Sequence, residues 1–387
     1  MSGPLSGIRI IELAGVGPGP FAAMALADAG ADIIRIDRPI NPDAKKDPAL
    51  AGRAMNIMNR GRRSITVDLK STKSAEFILR LVERADGMIE GYRPGVTERL
   101  GIGPDECLER NPRLVYGRVT GWGRKGTYAQ AAGHDINYIA LSGTLGAIGP
   151  ADRPPQPPMN LLGDFGGGGL LLAYGMTCAL LEVSRTGQGQ VVDTAMVDGA
   201  AYLATYVHGM RALGLWNDER ATNILDGGKP FYCVYETSDG RYISVGAIEE
   251  QFFSKLLDLI GLSDLEVPAR DDQAGWNRVH EIFKSVFSSR TRDEWESIFA
   301  GTDACVAPVL SMGEAPENEH LKEWGTFVYF EGVVQPSPAP RFSRTPSSIQ
   351  RSAPRPGQDG EVALREWGFE DEDIEALLSS NVISVER

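Results

Sequence analysis

The chain has 387 residues, of which 42% are hydrophobic and 24% charged, and its formal net charge is −13 at pH 7. The composition is ordinary for a soluble globular protein. Nucleic-acid binders and proteins of anionic membrane surfaces need a basic footprint, so the net charge argues against both kinds of partner.

The N-terminal residues, the most apolar run and the cysteines indicate where the protein is located. The first ten residues lack the basic start and apolar core of a signal peptide. The most apolar run, 166–181, is short and glycine-rich for a membrane span. Four cysteines stand far apart without a CxxC pair, which favours free thiols over disulfides or a zinc site. We therefore expect a cytoplasmic protein with no membrane partner.

The chain begins with a βαβ pattern: a strand at 7–14, a glycine loop at 15–20, a helix at 21–29 and a strand at 31–37. The loop sequence GVGPGP invites a dinucleotide interpretation, with Asp37 as the acid about twenty residues further on. Pro20 occupies the place of the third glycine, and Pro18 and Pro20 lack the N–H groups that a pyrophosphate would use. A nicotinamide or flavin site is thus the less favoured interpretation.

Strands and helices continue to alternate as far as residue 213, which predicts an α/β domain with a largely parallel sheet. The predicted strands lie at 87–91, 114–120 and 190–194, and the predicted helices at 73–84, 93–100, 170–184 and 196–213.

Beyond residue 213 the pattern changes to that of a smaller α+β domain. Ser-Asp-Gly joins predicted strands at 231–237 and 242–245, as in a hairpin. Predicted helices at 250–260, 277–287 and 292–300 and a strand at 304–310 follow, then a proline-rich connector at 335–357 and two helices at 361–368 and 371–379. We predict a large domain at 1–213 completed by 335–387, a linker at 214–229 and a small domain at 230–334.

The segment 131–169 carries a histidine and a carboxylate at predicted helix starts. The positive field of a helix N-terminus would keep Asp164 ionised, favour the neutral form of His134 and stabilise an oxyanion. Two proton carriers beside such a field suit proton transfer next to a carbonyl group. A structural histidine and a helix-capping aspartate remain the alternatives.

Several neighbouring residues have less specific signals. The four glycines at 166–169 indicate close approach of the backbone to a ligand or another chain. Asp135 is favoured as a helix cap, while its backbone N–H is a candidate oxyanion donor. Met159, Leu161 and Leu162 could form an acyl-binding surface or belong to the core.

Charged residues elsewhere are open to two interpretations. Glu249 and Glu250 lie in the first turn of a predicted helix, where surface acids are common. Arginines cluster in the first third of the chain, and several at strand ends would suit a polyphosphate ligand. These arginines are Arg35, Arg38, Arg60, Arg62, Arg63, Arg93 and Arg118. The sequence shows no metal-ligand spacing, G-x-S-x-G motif or Walker loop.

Several long motifs together resemble the family III CoA-transferase superfamily over essentially the whole chain. They are LSGIRIIELAGVGPGPFAAMALADAGADIIRIDRP, EGYRPGVTERLG, LVYGRVTGWG, LLGDFGGG and GEVALREWGF. Within the superfamily, GHDINYIALSG, GDFGGG and GAIEEQF look like the α-methylacyl-CoA racemase branch. One departure is Asp359, where the family pattern has a histidine.

The resemblance implies a reaction and its residues. His134 and Asp164 would flank the α-carbon of a 2-methylacyl-CoA as two bases in a 1,1-proton transfer through an enolate, and Glu249 would hydrogen-bond to the histidine. The N–H of Asp135 would hold the enolate oxygen. No metal or other cofactor is implied, since CoA is part of the substrate.

Further positions match the family's binding residues. Asn160 and Tyr232 correspond to residues that line the site. Arg38 and Arg93 correspond to residues that contact CoA, and Arg62 is a weaker candidate in an arginine-rich run, where a plain surface charge is the alternative.

The resemblance also implies an interlocked homodimer. Each protomer would combine a large Rossmann-like domain with the small α+β domain, and the site would lie between the large domain of one subunit and the small domain of the other. The alternative function is a CoA-transferase that moves CoA between carboxylic acids through an acyl-enzyme on Asp164. His134 argues against it, because the superfamily's transferases have no histidine there. A CoA-binding protein without catalysis is a third possibility.

Overall fold

The computed structural model describes residues 3–39, 57–262 and 267–384. The chain divides into two compact units. The first comprises 1–142, 158–203 and 322–387, and the second comprises 143–157 and 204–321. The segments 143–157 and 204–213 thus belong to the second unit, whereas the predicted division placed them in the large domain. The segment 322–334 belongs to the first unit, whereas it was predicted in the small domain.

The first unit is an α/β structure in which strands and helices alternate. Its strands are β1 (Arg9–Leu13), β2 (Asp32–Asp37), β3 (Arg62–Val67), β4 (Gly87–Glu90), β5 (Val115–Thr120), β6 (Gln190–Ala195), β10 (Phe327–Phe330), β11 (Val333–Pro336) and β12 (Ile383–Ser384). Its helices are α1 (Pro18–Asp28), α2 (Ser74–Val82), α3 (Val96–Arg99), α4 (Pro104–Arg110), α5 (Asp135–Leu141), α6 (Leu171–Thr186), α7 (Met196–Leu203), α13 (Gly360–Glu366) and α14 (Asp371–Ser379).

Seven strands form the main sheet in the order β12-β3-β2-β1-β4-β5-β6. All neighbours pair in parallel except β12, which is antiparallel to β3. This is the order of a doubly wound, Rossmann-like sheet, in which ligands bind beyond the carboxyl ends of the strands, where the strand order reverses between β1 and β4. The predicted α/β class with a largely parallel sheet is confirmed.

Apolar residues cover both faces of the sheet, as a parallel sheet requires. Ile11 and Ile34 belong to one buried cluster, together with Trp367 of the C-terminal segment. Their chain neighbours Ile10 and Ile33 belong to the cluster on the other face. The C-terminal segment thus completes the core of the first unit.

The structure corrects the predicted helix at 170–184. It begins earlier, with a π-helical segment at Leu161–Leu170 that continues into α6. The whole 26-residue stretch is long and apolar enough to cross a membrane by length and composition alone. It packs on α1, β5 and α7 within the first unit, where its most apolar part is 44% buried. Core helices of soluble proteins can have the same length and composition.

The second unit has a three-stranded antiparallel sheet with helices packed against it. It contains α8 (Thr205–Ala212), β7 (Tyr232–Glu236), β8 (Tyr242–Gly246), α9 (Glu250–Leu259), α10 (Trp276–Phe287), α11 (Arg292–Phe299) and β9 (Val306–Pro308). The sheet order is β7-β8-β9, and the predicted Ser-Asp-Gly hairpin joins the first two strands. Thr291 caps α11, the helix predicted at 292–300, with its hydroxyl accepting the N–H of Glu294. The predicted α+β character is confirmed.

The structure also corrects one predicted helix, adds elements that were not predicted, and shows the state of the cysteines and of Asp359. The predicted helix at 196–213 is two helices, α7 and α8, separated at Ala204. Strands β3, β10, β11 and β12 and helices α4 and α12 (Glu319–Trp324) were not predicted. All four cysteines are free thiols, as predicted. Asp359 precedes α13, and its carboxylate accepts the N–H of Ser64, which fastens the C-terminal segment to β3.

Candidate active site

His134 lies immediately before α5, at the N-cap position and in an extended backbone conformation. Its side chain is exposed. Its backbone N–H donates to the side chain of Asn137, at 3.0 Å, which fixes the first turn of the helix. The histidine is therefore held by its backbone while its imidazole remains accessible.

Asp164 lies in the first turn of the π-helical segment. The segment begins after Asn160, and the N–H of Phe165 donates to the carbonyl of Asn160, five residues back. The side-chain amide of Asn160 also donates to Oδ2 of Asp164, at 3.1 Å. π-helical turns are rare and occur frequently at functional sites. The wide turn leaves the Asp164 carboxylate half-buried beside Asn160.

The glycine loop after β1 approaches Asp164 directly. Gly17 has a left-handed φ of 70°, and a Cβ built there would lie 3.2 Å from Oδ2 of Asp164. The loop that resembles a dinucleotide motif therefore serves here as a wall next to the carboxylate. The glycines at 167–169 also allow close packing, but against α1 and α7 of the same chain. The expected approach to a ligand or another chain is corrected accordingly.

The Asp135 side chain connects the two candidate bases. It is the first residue of α5, directly after His134, and is 4% exposed. Its Oδ1 accepts the backbone N–H groups of Gly163 and Asp164, both at 2.7 Å. The expected capping role is thus real, but the capped turn is the one that carries Asp164, about thirty residues away in sequence.

The surroundings of Asp164 raise the pKa of its carboxyl group. Burial is the main cause, and the neighbouring Asp135 carboxylate adds to it, while the Asn160 hydrogen bond and His134 oppose the shift. The sequence predicted a carboxylate kept ionised by the helix field. The structure shows that burial outweighs the groups that favour ionisation.

Aromatic side chains surround the His134 turn. The ring of Trp122 lies edge-to-face against Tyr138, with centroids 4.7 Å apart, and a Cβ on Gly133 would meet both rings. The hydroxyl of Tyr138 donates to the carbonyl of Gly133. Burial and the Asp164 carboxylate raise the pKa of Tyr138, and the positive charge of Arg93 opposes them. Arg93 and Asp164 therefore both lie near Tyr138.

Most of the clustered arginines are buried and paired. Arg62 is fully buried, donates to Glu12 at 3.0 Å and gives its remaining donors to backbone carbonyls. This contradicts its prediction as a CoA contact, because no guanidinium face remains for a phosphate. The other buried arginines, Arg35, Arg60, Arg63 and Arg118, each pair with at least one carboxylate.

Arg38 and Arg93 remain exposed at the carboxyl edge of the sheet. Arg38 follows β2, and its guanidinium lies 5.8 Å from the ring centroid of Tyr92. Arg93 follows Tyr92 in the loop after β4. β2 and β4 flank β1 in the sheet, so their carboxyl ends bring both arginines to the edge where Gly17, in the loop after β1, lies beside Asp164. These two could hold a phosphate group.

The second unit carries the other two predicted site residues. Tyr232, at the start of β7, lines a cleft of about 500 Å³ together with Asp226, Cys233 and Cys305. Glu249 is exposed at the N-cap of α9 and close enough to Cys305 to contribute to the raised pKa of that thiol, of which burial is the main cause. The cleft and Glu249 thus belong to one surface of the second unit.

The apolar residues before the π-helical segment are accessible. Met159 is 59% exposed and Leu161 49% exposed, which removes the core alternative for these two. Sequence reasoning missed Gly17, Tyr92 and Tyr138, although the glycine loop and the EGYRPG motif contain the first two. Among the described residues, no group of three or more His, Cys, Asp or Glu side chains could hold a metal ion.

Comparisons with known proteins show the family of this chain. Residues 5–360 match the family described as CoA-transferase family III. The chain is 44% identical to the mouse α-methylacyl-CoA racemase over 386 residues, covering 99% of this chain and 98% of that one. It is also 44% identical to the human α-methylacyl-CoA racemase over 382 residues, covering 98% and 97%. A CAIB/BAIF family protein from Brucella suis has a similar structure, with a TM-score of 0.81 and 27% identity over 95% of this chain and all of that one. The chain belongs to CoA-transferase family III and, within it, to the α-methylacyl-CoA racemases.

Proposed function

We propose that this enzyme interconverts the 2R and 2S forms of a 2-methylacyl-CoA thioester by two-base proton transfer. His134 and Asp164 are the two bases: one removes the α-proton and the other, as its conjugate acid, returns a proton to the opposite face. The observation that carries the proposal is the Asp135 bridge, which brings the histidine turn and the Asp164 turn together. The racemase relatives support the same reaction.

The intermediate is an enolate of the thioester. Its oxygen would be held by the backbone N–H of Asp135 at the start of α5, where a developing negative charge is stabilised. The half-buried position and raised pKa of Asp164 suit a group that must both accept and return a proton. This step needs no cofactor, because the CoA thioester itself acidifies the α-proton.

Arg38 and Arg93 would contact the CoA moiety, since both are exposed guanidinium groups at the strand ends. Met159 and Leu161 would offer apolar surface to the acyl chain. The family resemblance supports three further proposals: Glu249 hydrogen-bonds to the catalytic histidine, Tyr232 lines the site, and the enzyme is a homodimer. The cytoplasmic location is likewise a proposal.

The test is incubation in deuterated water with one enantiomer of a 2-methylacyl-CoA and no acceptor acid. Deuterium at C2 and formation of both enantiomers would support the racemase. If the protein instead transfers CoA to an added carboxylic acid, Asp164 is a nucleophile and the transferase alternative holds.

Variants then assign the bases. His134→Ala should suppress exchange from one enantiomer more than from the other, because each base serves one face of the α-carbon. His320→Ala is the control, since His320 is exposed on α12. Full and equal activity of His134→Ala on both enantiomers would rule out the two-base assignment.

A further inference from the structure

One carboxylate connects the two turns that carry the candidate bases. Asp135 follows His134 directly in sequence, and its Oδ1 accepts the N–H groups of Gly163 and Asp164. Backbone N–H groups in the first turn of a helix have no partner within the helix. Asp135 supplies that partner for two of them, at 2.7 Å each.

We propose that the Asp135 side chain is a positioning residue for the racemisation site, holding the backbone of Asp164 in register with His134. The inference rests on the proposed function, because it assigns the two bases to those residues. A reaction that uses bases on opposite faces of one carbon depends on the separation of those bases. Two charge-assisted hydrogen bonds donated by backbone N–H groups to a buried carboxylate are a rigid way to set that separation.

The second oxygen of the same carboxylate argues that this is more than a helix cap. Oδ2 of Asp135 is buried and has no hydrogen-bond partner among the residues that the structure describes. A buried carboxylate oxygen without a partner costs stability, whereas serine or threonine would cap a helix without burying a charge. Unpaired buried polar atoms are uncommon in native proteins and occur where function requires them.

The backbone opposite Asp135 is matched to the carboxylate. A Cβ built on Gly163 would lie 2.7 Å from Oδ1 of Asp135, well inside van der Waals contact. Only glycine at this position lets the carboxylate reach both N–H groups. An alanine there would displace the carboxylate without removing any ionisable group, which provides an independent test.

The first variants separate position from charge. Asp135→Ala removes both hydrogen bonds, and we expect kcat to fall roughly 10²-fold, because a misplacement of about 1 Å costs that much. KM should change by less than about twofold, since the proposed CoA contacts, Arg38 and Arg93, follow β2 and β4 and are not held by Asp135. Asp135→Asn keeps an oxygen acceptor at the Oδ1 position and should recover most of the lost kcat.

A second pair of variants tests the contact itself. Gly163→Ala should lower kcat in the same way, and the double variant with Asp135→Ala should be no slower than the slower single variant, because both break one contact. Asp105→Ala is the control, an exposed acid in the first turn of α4. Thermal midpoints of all variants identify any that fail to fold.

The outcomes are distinct. Loss of kcat in Asp135→Ala and Gly163→Ala, with recovery in Asp135→Asn, supports the positioning role. An unchanged kcat in Asp135→Ala, a parallel rise of KM, or an Asp135→Asn variant as slow as Asp135→Ala would overturn it. If the wild-type protein transfers CoA to an acid and does not racemise, the proposed function fails. The same series measured by CoA transfer still tests whether Asp135 positions Asp164.

Discussion

Gly17 offers the sharpest test of how tightly Asp164 is confined. Replacement by alanine would place a Cβ 3.2 Å from Oδ2 of Asp164, where an ordinary contact is 3.4–4 Å. The carboxylate must therefore move by a few tenths of an ångström. The backbone at Gly17, with φ 70° and ψ −119°, has a conformation that an L-residue rarely adopts, which adds a cost of about 1–3 kcal/mol.

The two effects can be separated by a matched control. If misplacement costs about 10²-fold per ångström, a shift of about 0.2–0.4 Å lowers kcat roughly three- to sixfold. Gly240 has the same φ of 70° but nothing within 4 Å of its built Cβ. Gly240→Ala should therefore lose similar stability and keep its activity.

The assay combines chemical denaturation with the rate of deuterium exchange at C2. We expect both variants to lose about 1–3 kcal/mol in the free energy of unfolding, and Gly17→Ala alone to slow exchange. Equal rates in the two variants would show that Gly17 does not confine the carboxylate, and the geometric reasoning would be wrong.

Two further predictions concern charge and burial. Asp164→Asn should raise the free energy of unfolding at pH 7. The pKa of Asp164 is raised in the folded protein, so the unfolded state loses its proton first as the pH rises. The free energy of unfolding of the wild-type protein therefore falls as the pH rises above the ordinary value of 3.8, and the loss is complete above the folded-state pKa. Denaturation curves from pH 3 upward should therefore show the two proteins diverging with pH, and a constant difference would contradict this. Arg62→Leu should lower the free energy of unfolding by about 3–5 kcal/mol, because it breaks a buried ion pair with Glu12. Arg38→Leu should instead raise KM and change the free energy of unfolding by no more than about 0.5 kcal/mol. A raised KM with unchanged stability in Arg62→Leu would restore that residue as a CoA contact.

Local patterns predicted the first βαβ unit well. A pair of isoleucines marks each of β1 and β2, and these isoleucines are buried on both faces of the sheet. The Ser-Asp-Gly turn and the Thr291 cap were equally readable, because each carries its hydrogen-bonding logic within a few residues.

β3 could not be predicted in the same way. Its sequence RRSITV begins with two arginines and a serine, yet all six residues are buried. The charges are accepted in the core only because Glu12 and Asp32, on other strands, pair with Arg62 and Arg63. No local pattern contains that information.

The candidate site could be predicted only in part, because some of its residues have a local signal and others depend on tertiary packing. His134 and Asp164 could be singled out by residue type and by their places before helices, and the family resemblance added Glu249. The role of Asp135 could not be read, because a capping aspartate is expected to act on its own helix, whereas this one acts on a turn about thirty residues away. Tertiary packing determines which turn is capped.

Burial decides which arginines are free to meet a phosphate. The seven arginines singled out in the first third of this acidic chain suggested one basic cluster. In the structure, Arg118 pairs with Glu90 at 2.9 Å, and Glu90 also accepts the N–H of Tyr92, so this buried pair fixes the loop that presents Arg93. The buried arginines therefore shape the strand ends, and the exposed ones remain available to a ligand.

The acid–base character of Asp164 follows from the same competition between burial and pairing. A carboxylate at a helix start, bonded to Asn160, would ordinarily be a weak base. Burial and the adjacent Asp135 charge reverse that tendency and raise the pKa. The carboxylate that fixes the position of Asp164 thus also makes it a better proton acceptor. Asp135 therefore fixes the position of Asp164 and adds to an increase in basicity that burial mainly causes, and its Oδ2, which has no hydrogen-bond partner within the described ranges, is a cost in stability.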